Sequence, residues 1–318
     1  MFSIFTKQEN DFEIIVLNDD ATQTSVEIIP ASGGILHAFN VRAGIDQLNV
    51  VEQYRSKKEF DNSAEVKGFK SCKLSPFVCR LKDGKYHFGE KDYSIEKYYL
   101  GKHALHGLIY DAAFDVIQLK ASATSASAEL LFSYKGTDKG FPFKYDCRVI
   151  YELKAGNALH IKTIVKNHES HAIPMQDGWH PYFTFGSAVD ELSLFFRSKE
   201  MFEFDEELIP TKTMIPYDTF HALKSIADTK FDNGFLVETN ADEPVLILRS
   251  DEKKLQLEIT TDKSYPVLQI YIPEHRQSIA IENLSGPPDA FNNQLGLTVL
   301  QGNAEAIFNT TYTIKSVD

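Results

Sequence analysis

The chain is short of cysteine, of tryptophan and of long apolar runs, and each shortage removes a class of function. Its three cysteines, Cys72, Cys79 and Cys147, are an odd number with no Cys-x-x-Cys pair, so neither a disulfide framework nor a thiolate zinc site is indicated. Reduced thiols of this kind suit the cytoplasm. No stretch approaches the roughly 18 apolar residues of a membrane-spanning helix. The N-terminus MFSIFTKQEN lacks the basic-then-apolar order of a secretory signal. Basic residues are outnumbered, 33 against 45 acidic, for a net charge of -12, and no basic block exceeds a residue pair. Nucleic acid and membrane are therefore not expected partners. There is no Gly-x-Gly-x-x-Gly fingerprint and no strong ligand cluster, so neither a nicotinamide nor a metal cofactor is expected. Internal repeats and low-complexity linkers are also missing, and residues 1–318 are expected to form one large domain.

Period-two alternation fills the space that these absences leave. Phe143, Tyr145, Cys147, Val149, Tyr151 and Leu153 alternate with polar residues, the chain reverses over Ala-Gly-Asn, and Leu159, Ile161, Thr163 and Val165 resume the pattern. Tyr86 and Phe88 before a Gly-Glu-Lys-Asp turn, with Tyr93 and Ile95 after it, predict a second hairpin. Further strands are read in LILRSDEKKLQLEITT, VLQIYIP, SIAIE and FNTTYTIKS. Ala/Ser-rich ASATSASAE reads as a turn and the start of a strand. Helical periodicity is confined to short candidates near QLNVVEQYRSKKEF and around His221 to Ile226. With 12% aromatics, the pattern predicts an all-β fold, a large antiparallel β-sandwich with few short helices.

Five segments carry residues suited to chemistry. Glu282 closes the apolar run Ile-Ala-Ile-Glu before a turn-rich stretch, where a carboxylate is paired, turned to solvent, or held in a pocket for proton transfer. GWHPYF sets His180 between Trp179 and Tyr182, flat walls on which a pyranose ring stacks, with a reference pKa of about 6.5 near neutrality. A packed aromatic corner with a structural histidine is the alternative. In KHALHGLIYDAAF, His103 and His106 lie three apart with Gly107 and Asp111 following. The spacing admits zinc, but no helical His-Glu-x-x-His pattern or cysteine partner accompanies it, and hydrogen bonding to a substrate hydroxyl suits it better. Arg80 stands in an apolar run before a turn, either to clamp hydroxyls or a carboxylate, or to pair with an acidic side chain. Asp232, in KFDNGFLV, fits a turn as well as a site.

Together these segments resemble, in order, the aldose 1-epimerase family, also called galactose mutarotases. The resemblance runs from SGGILHAF through SPFVCRLKDGKYHF, HGLIYDAAF, WHPYF and FDNGFLV to LQIYIP and IAIENLSGPPDAFN, from Gly33 to about Ile314. It implies a β-sandwich of the galactose mutarotase-like supersandwich type whose concave face holds an aldose. It also implies Glu282 as base, His180 as acid, and His106, Arg80 and Asp232 on substrate-binding positions, with Trp179 shaping the pocket wall. Trp179 and Leu108 depart from the family pattern, which carries Asn and Gly there, so substrate preference does not transfer.

The chemistry is consistent with that assignment. Interconverting anomers requires a base to take the proton of the anomeric hydroxyl while an acid protonates the ring oxygen, and the roles reverse on closure after rotation about C1–C2. Glu282 and His180 are expected on one concave surface, about a pyranose width apart. The alternatives are a non-catalytic carbohydrate-binding sandwich, a glycoside hydrolase or lyase pairing Glu282 with Asp232 or Asp111, and an epimerase of a sugar phosphate. A monosaccharide is the expected partner, and the chain a monomer or homodimer.

Overall fold

The computed structural model describes residues 1–64 and 67–317. Two antiparallel sheets carry most of the chain. The first has nine strands in the order Asp115–Ala121, Ser125–Lys135, Lys144–Lys154, Ala158–Asn167, Glu305–Ser316, Leu255–Thr261, Leu246–Ser250, Ser193–Phe196 and Lys224–Ser225. The second runs Pro210–Pro216, Ser198–Phe204, Asp232–Val237, Val267–Tyr271, Ile279–Leu284, Gly178–Trp179 and Lys73–Leu74, and Tyr182–Phe183 pairs onto its Ile279–Leu284 strand. A five-stranded meander, Phe2–Glu9 to Asp46–Asn49, precedes them.

The long hairpin forms as the alternation predicts. Lys144–Lys154 pairs with Ala158–Asn167, Leu153 faces Leu159, and Tyr145, Cys147, Val149, Tyr151 and Leu153 are all buried. Its turn places Gly156 and Asn157 at φ of 81° and 55°, a conformation those two residue types tolerate. Lys85–Phe88 and Lys91–Ser94 form the second expected hairpin. ASATSASAE is indeed the turn between Asp115–Ala121 and Ser125–Lys135.

Of the two helical candidates, one holds in part. Lys57–Ser63 is an α-helix, started by Ser56, whose Oγ accepts from the Glu59 amide at 3.2 Å. The segment around His221 to Ile226 is not helical. Lys224–Ser225 hydrogen-bonds to Ser193–Phe196 at the edge of the nine-stranded sheet, while Phe220 and Ile226 anchor the flanks in the core. So short a segment cannot nucleate a helix against the backbone bonds that an open edge supplies. A second α-helix, Ala290–Asn293, lies in the turn-rich stretch after Glu282.

The two large sheets stack through their apolar faces. One continuous cluster of buried side chains reaches from Phe2 to Ile314. Rings meet across the interface, Tyr151 with Trp179 at 5.8 Å and Phe183 with Tyr312 at 5.2 Å. On Ile279–Leu284, Asn283 points into this interface, where its Oδ1 accepts from Thr310 Oγ1 at 3.2 Å and Tyr312 Oη at 3.1 Å. Period two then turns Glu282 to the outer face. Its strand partner Gln269 shares that face, as do Tyr271 and Asp232, paired one step further along.

Candidate active site

The outer face of the eight-stranded sheet forms the floor of an open cavity of about 220 Å³, with Asp232, Gln269, Tyr271 and Glu282 along it. Loops raise its walls, bringing Phe69, Cys79, Arg80, His106, His180 and Tyr182 over the sheet. Main-chain bonds lace the loops together: His106 donates to Cys79 at 2.9 Å, Asp289 to Arg80 at 2.8 Å, Ser71 to His180 at 2.8 Å, and His180 to Cys72 at 3.1 Å. Phe69, Cys79, His106 and Asp289 all have φ between 48° and 60°. Such left-handed residues cost on the order of 1–2 kcal/mol each, and their concentration around one cavity marks a site whose geometry the fold imposes. Gly107 admits a close approach of backbone to backbone. At φ 83° it pairs with Ser75, whose carbonyl oxygen would stand 2.1 Å from any added Cβ.

At the centre, His180 Nε2 lies 3.3 Å from Glu282 Oε1, both side chains nearly sealed from solvent. The pair is much closer than a pyranose width. The reason is strand pairing: Gly178 lies opposite Leu284 and Tyr182 opposite Ala280, which sets His180 beside Glu282. The Cys79 thiol donates to Glu282 Oε2 across 3.9 Å. Tyr182 stacks on His180 at 5.2 Å, and the His106 ring meets His180 edge-on at 4.9 Å.

Burial sets the electrostatics of this centre. It pushes Glu282 well above the ordinary carboxylate range, with the Asp232 carboxylate adding to the rise and the Cys79 thiol opposing it. Desolvation lowers His180 to about 4, and lowers His106 well below its usual value with help from His180 and Arg80. The reference value near 6.5 used for His180 at the sequence level is therefore not the value in the fold. One proton held between Glu282 and His180 keeps the pair net neutral in either arrangement.

Around the pair, polar groups stand without protein partners. Arg80 lines the cavity with no side-chain ion pair or hydrogen bond among the described residues, so the pairing alternative for it does not hold. His106 Nδ1 and Gln269 Oε1 are buried and unpartnered. Asp232, exposed at the rim, accepts from Gln269 Nε2 at 3.1 Å.

Glu282, His180, His106, Arg80 and Asp232 thus converge on one cavity. Trp179 does not. It is buried on the other side of its strand, beneath the Lys73 ammonium at 4.4 Å and against Tyr151, so it cannot stack on a ligand in the cavity. Alternation explains this, since consecutive residues on a strand face opposite ways. His103 and Asp111 also lie elsewhere: His103 Nδ1 accepts from the Asp83 amide at 2.9 Å, and Asp111 accepts from Tyr98 Oη at 3.0 Å. The His103–His106 pair is therefore no metal site. Among the described residues, those that could hold a metal are Cys79, His106 and Glu282, whose donor atoms lie within 4.8 Å of one another. Sequence reading passed over Phe69, Cys79, Gln269 and Tyr271. Gln269 and Tyr271 alternate within VLQIYIP and were within reach of a pairing argument with Glu282.

Architecture and cavity together define a galactose mutarotase-like protein. Over 99% of both chains it superposes on a galactose mutarotase-like protein from Clostridium acetobutylicum with a TM-score of 0.89 at 17% identity. It also matches galactose 1-epimerase from Lactobacillus acidophilus, TM-score 0.83 and 17% identity, over 100% of this chain and 99% of that one. In sequence, YihR of Escherichia coli (strain K12) is 29% identical over 248 residues, 75% of this chain and 77% of YihR. The aldose 1-epimerase family model matches residues 13–313, and the chain belongs to that family. It is an isomerase of the epimerase class with a sugar as substrate. No helix among the described residues is long and apolar enough to cross a membrane.

Proposed function

We propose that the chain interconverts the α and β anomers of a free hexose without a cofactor, with Glu282 as base and His180 as acid. The observation that carries this reading is the buried contact of His180 Nε2 with Glu282 Oε1 at 3.3 Å, in a cavity where His106 Nδ1 and Gln269 Oε1 lack partners. Burial favours the proton on Glu282 before sugar binds. A bound sugar brings hydroxyl donors, and Arg80 its guanidinium, to the carboxylate side, so the proton passes to His180. Glu282 then accepts the proton of the anomeric hydroxyl as His180 gives one to the ring oxygen. The ring opens, C1–C2 rotates, and closure runs the transfers backwards. No proton is lost over the cycle.

Arg80, His106 and Asp232 hold the remaining hydroxyls, His106 as a neutral imidazole that can donate to one oxygen or accept from another. The core running from Phe2 to Ile314 supports reading residues 1–318 as one domain, and three buried free cysteines support a reducing compartment. Polarimetry of freshly dissolved α-glucose, α-galactose and a wider panel of aldoses tests the activity. Acceleration of at least one sugar is expected, and none across the panel would overturn it.

A further inference from the structure

We propose that Cys79, His106 and Glu282 form a binding site for a soft divalent cation, Zn²⁺ by its donor chemistry, inside the sugar cavity. Their donor atoms lie within 4.8 Å of one another and come from three separate segments of the chain. All three side chains are buried, at 6%, 7% and 2% exposure, so the donors already sit in a partly dehydrated space. Cys79 Sγ is 3.9 Å from Glu282 Oε2, and His106 keeps a buried nitrogen with no protein partner. The other two cysteines are elsewhere; Cys72, for example, donates to the Lys70 carbonyl.

A thiolate, an imidazole and a carboxylate are the ligands of zinc sites and a poor set for magnesium or calcium. Donors held about 2.0–2.3 Å from a tetrahedral ion stand about 3.3–3.8 Å apart, so binding draws the three together by about an ångström. Rotation of the Cys79 and Glu282 side chains supplies that movement. Three protein ligands leave a fourth position for a water. The Cys79 thiol gives up its proton to solvent when its sulfur binds the ion, and Glu282 does the same where it is protonated, so affinity rises with pH. A ligated Glu282 cannot take a proton from sugar. Metal and turnover therefore exclude each other, a consequence that rests on the acid/base reading above, whereas binding itself does not.

Titration of the chelator-treated full chain with Co²⁺, read by absorption, tests the site without any sugar. One equivalent should produce a thiolate-to-cobalt charge-transfer band with the intense d–d bands of a four-coordinate ion, and Zn²⁺ should abolish both. Cys79→Ser should lose the charge-transfer band, and His106→Gln should weaken binding at least tenfold; Cys72→Ala and Cys147→Ala should keep the spectrum. Should Cys79→Ser not fold by circular dichroism, Glu282→Gln replaces it, with the same expected weakening. No charge-transfer band in the wild type, or one that persists in folded Cys79→Ser, overturns the proposal. A saturating sugar that accelerates in the polarimeter should lower apparent Co²⁺ affinity; binding unaffected by that sugar would overturn the exclusion.

Discussion

Glu282 and Asn283 are neighbours in sequence and face opposite sides of one sheet. Asn283 accepts two hydroxyl bonds, from Thr310 and Tyr312, in the interface between sheets, and Glu282 meets His180 in the cavity. The inward residue fixes the height and register of the strand that presents the outward one. Stability and chemistry are thereby divided between adjacent positions. Asn283→Leu leaves the Tyr312 hydroxyl buried without an acceptor and Thr310 with only its 3.4 Å bond to the Thr260 carbonyl, and urea unfolding should show a loss of about 1–3 kcal/mol. The sugar-concentration dependence of the surviving rate should stay as in the wild type.

The pH profile of the rate follows from the direction of the Glu282 shift. In the proposed cycle the pair works with one proton shared between Glu282 and His180, and burial with Asp232 raises the Glu282 pKa, so the rate should fall with pH only well above the ordinary carboxylate range. Asp232→Asn removes one of the two raising influences. The descending limb of kcat/KM should move to lower pH, whatever happens to its height through lost hydroxyl contacts. A limb that stays in place would contradict the coupling.

His37 offers a stability test away from the site. It is buried against Phe12, and desolvation lowers it to about 4, outweighing the raising influence of Glu9. As pH falls below 6.5 the unfolded chain takes a proton that the folded chain refuses until about 4, so stability present near neutrality is lost across that window. At pH 5 the loss from this residue should reach about 2 kcal/mol. His37→Leu should shrink the difference in unfolding free energy, measured by urea, between pH 7 and pH 5 by that amount.

Lys73 tests the sealed ion pair behind Trp179. Its Nζ lies 2.5 Å from Asp177 Oδ1, both side chains fully buried, and Tyr265 Oη donates to the same oxygen. Lys73→Met strands a buried carboxylate, and denaturation should record a loss of about 3–5 kcal/mol. Adding Asp177→Asn to Lys73→Met should recover part of it, whereas additive losses would contradict the pairing.

The all-β fold was legible because alternation survives wherever one face of a strand is buried, as in Lys144–Lys154. The small edge strands were not. Lys224–Ser225 is defined by the hydrogen bonds of a neighbouring strand, which no local pattern records. Five of the residues that line the cavity were legible through their motifs. Trp179 was misread because it was considered beside His180 in sequence, where strand geometry sends the two side chains opposite ways. The His180 pKa was out of reach for a different reason: desolvation depends on what packs around the ring, and Phe69 and His106 come from distant segments.

The acid/base pair is tested most directly by exchange NMR of the anomeric protons of an accelerated sugar with wild type and Glu282→Gln at equal folded concentration. The pair predicts a loss of about 10²–10⁴ in the Glu282→Gln rate with sugar still bound. Exchange within a factor of two of the wild type would contradict it.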